Sequence, residues 1–69
     1  MKWLIEEYRV RQHIESVEEL AIRTGINIRT LRRRIEDPRQ LRMFEIEALN
    51  KILHFTNEDL LKIMRGEIE

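Results

Sequence analysis

The chain has no cysteine, one proline and two glycines in 69 residues. The missing cysteine excludes disulfides, thiol redox chemistry and Cys-based zinc sites. His13 and His54 lie too far apart to form a short metal-ligand pair, so neither a metal nor a cofactor is expected. So little glycine and proline leaves scant room for hairpins, and long runs rich in Leu, Ile, Glu and Arg point to an all-α fold. No apolar run approaches the ~20 residues of a membrane span. The opening stretch MKWLIEEYRVRQ is charged by its second residue and lacks the apolar centre of a signal peptide. A soluble, cytoplasmic protein is expected. There is no phosphate-cradling glycine loop, no nucleophile–base pairing and no room for a pocket of enzyme size, so the chain reads as a non-enzyme. Its length allows one domain, residues 1–69, burying only ~60% of the unfolded surface.

What the chain does have is arginine, concentrated in its middle. Net charge is zero. Residues 23–42, however, hold seven arginines (23, 29, 32, 33, 34, 39, 42) against Glu36 and Asp37, a balance of +5. The segments on either side balance at −2 and −3. A polyanion responds to this local field rather than to net charge. Arginine also suits bidentate contacts to phosphate or guanine.

Five helices follow from periodicity and capping. The first spans Lys2 to about Gln12. Leu4, Ile5 and Tyr8 fall on one side of it; Trp3, Val10 and Ile14 fall nearly opposite, so the helix either ends early or is buried on two sides. The second starts at a capping box, Ser16-Val17-Glu18-Glu19, with Val17, Leu20, Ala21 and Thr24 as its inner stripe. It ends at Gly25, where positive φ is usually needed. Ile26 plugs the turn and Asn27 caps the third helix, Ile28 to Glu36. Leu31 and Ile35 point inward from that helix, and Arg29, Arg32 and Arg33 outward. Asp37-Pro38 stops it. Residues 39–42 read as a loop before the fourth helix, Met43 to Leu53, whose stripe is Ile46, Leu49, Ile52 and Leu53 with Phe44 at its start. Thr56 caps the fifth helix, which closes near Arg65 at Gly66.

Residues 17–36 resemble the helix-turn-helix of the lambdoid phage repressor/Cro (Xre-like) family. That pattern wants alanine in its first helix, glycine four residues on, and an aliphatic six beyond; Ala21, Gly25 and Leu31 supply them. Leu41 to Leu61, LRMFEIEALNKILHFTNEDLL, resembles the family's last two helices, and TLRRRIEDP is similar to small phage and prophage proteins of this kind. The resemblance implies a compact five-helix bundle, a sequence-specific regulator of transcription, and a bacterial or phage-infected cell. The third helix would enter the major groove. Its contacts would fall on Asn27, Ile28, Arg29, Thr30, Arg32 and Arg33. Arg29 or Arg33 would read guanine, and Ile28 would touch a thymine methyl. Arg23, Arg39 and Arg42 would hold phosphates.

The chain departs from the family at three places. Val17 stands where a phosphate-binding glutamine is common. Arg34 stands at an aliphatic position. The family's buried Arg–Glu pair between the first helix and the end of the third is either replaced by Val10 and Ile35 or shifted to Arg11 and Glu36. Repressor action would be steric, with a homodimer formed through the fifth helix and tail (Leu60, Met64, Ile68) or through Trp3. The alternative is a protein-binding module on the same fold, its acidic ends suiting a basic partner. His13 reads as a surface loop residue, His54 as a partly buried packing residue, and Trp3 and Tyr8 as core or interface.

Overall fold

The second helix shows how local sequence sets element ends. Its N-cap, Ser16, is extended, and its Oγ accepts the Glu19 N–H at 3.1 Å. The reciprocal half of the capping box does not form; the Glu19 carboxylate pairs with Arg23 one turn along, at 3.0 Å. Gly25 closes the helix with φ +76° and donates to the Ala21 carbonyl. A Cβ at Gly25 would meet no atom within 4 Å, so glycine is required by conformation and not by crowding. Two residues later the Asn27 Oδ1 accepts the Arg29 N–H at 2.9 Å and starts the next helix.

A computed structural model describes residues 1–67. In them the order is α1 (Lys2–Arg11), α2 (Val17–Thr24), α3 (Ile28–Glu36), a 3-10 turn (Pro38–Gln40), α4 (Met43–Leu53) and α5 (Asn57–Met64). There is no strand among the described residues. The 3-10 turn lies in what periodicity reads as loop; Pro38 at its first position presets φ and needs no N–H partner. α3 packs on α2, α1 and the 3-10 turn, and α4 packs on α2 and α5. The radius of gyration is 10.6 Å, close to the ~11 Å of a compact chain of this length. The core centre is formed by Ile5, Tyr8, Ile14, Leu20, Leu31, Leu49 and Leu53.

The two-sided reading of α1 is corrected. Ile5 and Tyr8 are buried, while Trp3 is 89% and Val10 64% exposed. Ile14 reaches the core from outside the helix. His13 adopts φ +56° and turns the chain back, and Ile14 is held by its N–H to the Arg9 carbonyl and by Arg9 Nη1 to its own carbonyl at 2.7 Å. Its helical phase was therefore irrelevant. Two more expectations fail, one for the same reason and one because of its phase on the helix. His54 is exposed, not packed, because it is the left-handed C-cap of α4 with φ +55°. Phe44 points outward from the first turn of α4, 64% exposed, well off the Ile46–Leu49–Leu53 stripe.

Tyr8 joins the two ends of the chain. Its ring meets Phe55 edge-on with centroids 4.8 Å apart. Its hydroxyl donates to the Asp59 carboxylate at 2.5 Å and accepts the Thr56 N–H at 3.1 Å. Thr56 in turn caps α5 through its Oγ1. Tyr8→Phe keeps the ring packing but leaves the Thr56 N–H and Asp59 without this partner. It should lower stability by about 1–2 kcal/mol. Urea unfolding should show a lower midpoint at unchanged slope; an unmoved midpoint would show that water replaces the hydroxyl without loss.

Candidate nucleic-acid interface

α3 is the most sharply two-faced helix in the chain. Leu31 and Ile35 are buried, and Ile28 packs partly against the core. Arg29, Arg32 and Arg33 are exposed. Arg29 and Arg33 are four residues apart and so stack on one face, one turn from each other.

Arg34 goes the other way. It lies three residues after Leu31, hence beside the inward stripe, and only 13% of its side chain is exposed. Its Nε meets Glu45 Oε1 at 3.0 Å, and the Glu45 side chain is 3% exposed. The same carboxylate oxygen accepts the Arg42 N–H at 2.9 Å, stabilising the start of α4. Arg34 Nη1 also reaches Gln40 at 3.4 Å. One oxygen of a buried carboxylate thus ties the end of α3 to the first turn of α4 by accepting from both. Neither expected arrangement of the buried Arg–Glu pair holds. Val10 is exposed, and Arg11 pairs with Glu7 on its own helix and stacks on the Tyr8 ring. A buried pair exists, but it joins α3 to α4.

The remaining arginines fall into two groups. Arg32 meets Glu18 at 3.0 Å, Arg23 meets Glu19 at 3.0 Å, and Arg39 lies 3.8 Å from Asp37. Arg29, Arg33 and Arg42 have no ion-pair partner among the described residues. The +5 of residues 23–42 is therefore not all presented as free charge: the fold lays Glu18, Glu19 and Glu45 against it. Of the other predicted residues, Asn27 uses its carbonyl oxygen as the cap, leaving its exposed amide NH2 free to donate. Thr30 is half-buried, and Ile28 has only part of its side chain outside the core.

Sequence reasoning missed both Glu18 and Glu45. Glu18 lies fourteen residues from Arg32, and no local spacing couples them. Glu45 had a readable signal, an acid at the third position of a helix, where it can reach back to the N-cap N–H. Among the described residues no three His, Asp or Glu side chains converge as metal ligands, and no helix is long and apolar enough to cross a membrane. No protein family, curated protein or solved structure matches the chain.

Proposed function

We propose that this chain is a helix-turn-helix protein that binds double-stranded DNA sequence-specifically and regulates transcription, most simply as a repressor that occupies its operator. α2 and α3 would form the motif, with α3 in the major groove. One observation carries the reading: Arg29 and Arg33 are exposed on one face of α3, one turn apart, with no intramolecular partner. A guanidinium held free on a rigid helix is pre-organised for guanine O6 and N7. Arg42, at the start of α4, is the free cation for a phosphate. Arg23, Arg32 and Arg39 would have to exchange a carboxylate for one.

A single domain of this size binds weakly, so a dimer on two half-sites about 34 Å apart is part of the proposal. On α5, Leu61 and Met64 are each about half exposed, while Leu60 packs toward the core. Leu61 therefore replaces Leu60 in the proposed contact; Ile68 lies outside the described residues. The second reading, a protein-binding module, has for it Trp3 and Val10, both exposed on one side of α1; that its partner is basic rests on the acidic segments flanking the arginines.

Selection from random duplex DNA followed by salt titration tests the proposal. Arg42, as the one unpaired arginine assigned to a phosphate, should give a slope of log K against log salt of about −1 per domain, steeper if Arg23, Arg32 or Arg39 exchanges its carboxylate for a phosphate. An enriched motif with that slope supports the reading. Failure to enrich any sequence, with salt-insensitive binding, would sink it and favour the protein partner.

A further inference from the structure

The Arg32–Glu18 pair joins α3 to the first turn of α2, at 3.0 Å. Arg32 lies one turn along α3 from Ile28, on the exposed side, and Glu18 lies in the first turn of α2. Both side chains are more than half exposed, at 59% and 64%. Such a pair contributes little to folding. It does change what Arg32 offers a polyanion. The other acids near Arg32, Glu6 and Glu36, line the same surface cleft, but Glu6 is held by Arg9 and neither pairs with Arg32. Glu18 is thus the only carboxylate within ion-pair distance of that guanidinium among the described residues.

We infer that Glu18 is a built-in competitor for phosphate: it occupies Arg32 in the free protein and suppresses binding to DNA of any sequence, so that discrimination rests on the unpaired Arg29 and Arg33. The inference rests on the proposed DNA reading and deepens it. A phosphate reaching Arg32 must displace a carboxylate already seated there at 3.0 Å. In that exchange Arg32 gains one anion and loses another, so the contact adds little net affinity. The cost applies equally to every duplex, because every duplex has phosphates. Base-edge contacts by Arg29 and Arg33 are untouched by it. A carboxylate beside Arg32 therefore lowers affinity for every duplex by the same factor and leaves the ratio of specific to non-specific binding to Arg29 and Arg33.

Glu18→Gln tests this directly. Glutamine keeps the size and hydrogen-bonding reach but removes the charge. Freed from its partner, Arg32 should neutralise one more phosphate, making the salt slope on a random-sequence duplex steeper by about 0.9. If affinities converge near 1 M salt, that slope tightens non-specific binding by up to about eightfold at 0.1 M. Adding Arg32→Ala should abolish the gain. Glu47→Gln makes the same net charge change at an exposed, unpaired position on α4, and should shift affinity far less. Fluorescence anisotropy with a labelled duplex reads all four proteins, and a thermal melt confirms that each is folded. Equal gains from Glu18→Gln and Glu47→Gln, or no gain from Glu18→Gln, overturn the competitor role. The underlying reading fails separately, if the unsubstituted protein binds no duplex or if Arg29→Ala leaves its duplex binding unchanged.

Discussion

Replacing Glu45 by alanine is expected to cost about 3–5 kcal/mol, because it strands the Arg34 guanidinium in the interior without a counter-charge. The Arg34 side chain is only 13% exposed and its Nε has Glu45 as its acceptor at 3.0 Å. The same substitution removes the acceptor of the Arg42 N–H at the start of α4. A domain of 69 residues has roughly 3–10 kcal/mol of stability in all. Glu45→Ala should therefore lose from about a third to all of that stability, seen as a much lower urea midpoint or, at the low end of the range, as lost helical circular dichroism. The informative companion is Arg34→Met combined with Glu45→Leu. Replacing both partners by apolar groups removes the desolvation cost along with the attraction, so most of the stability should return. A loss below about 1 kcal/mol for Glu45→Ala would mean that water reaches Arg34 and that the pair does not hold α4 in place.

The double substitution Arg29→Ala, Arg33→Ala should leave folding nearly intact and remove specific DNA binding. Both side chains are exposed and unpaired, so stability should move by no more than about 0.5 kcal/mol. A good bidentate contact to guanine carries about 1–3 kcal/mol of discrimination, so two contribute about 2–6. That is a loss of roughly 30-fold to more than 10,000-fold in affinity for the selected site. Binding to unrelated duplexes should fall much less, bringing the two affinities together. The measurement is a competition titration of selected against scrambled duplex at fixed salt. Parallel losses on both duplexes would assign the two arginines to phosphate. No loss on either would remove α3 from the interface. Arg34→Ala cannot serve in this comparison, since it breaks a buried pair and any lost binding would report unfolding.

Local chemistry made much of the fold legible. Ser16, Gly25, Asn27, Pro38 and Thr56 each mark an element end through interactions within about four residues, and the structure places the ends there. Leu20, Ala21, Leu31, Ile35, Ile46, Leu49 and Leu53 are buried as their helical spacing requires. Errors arose where a residue lay just beyond a helix or in its first turn. Ile14 and His54 follow left-handed or turned backbone, where periodicity carries no information. Phe44 is apolar enough to be counted with the α4 stripe, yet its angular position turns it outward.

On the candidate site, the sequence alone determined that α3 has an apolar face and an arginine face, because a 3.6-residue period assigns each side chain a direction along one helix. It also determined the basic middle of a neutral chain. Local spacing already pairs Arg23 with Glu19 and Arg39 with Asp37, but that Arg32 and Arg34 are occupied was decided only by the tertiary structure. Ion pairing depends on distances between helices, and residues fourteen or eleven apart, Glu18 with Arg32 and Arg34 with Glu45, meet only after α2, α3 and α4 have packed. Composition shows seven cations in the middle of the chain. Packing turns Arg34 into a core residue and pairs Arg32 with Glu18, local contacts pair Arg23 and Arg39, and Arg29, Arg33 and Arg42 are left exposed without an ion-pair partner among the described residues.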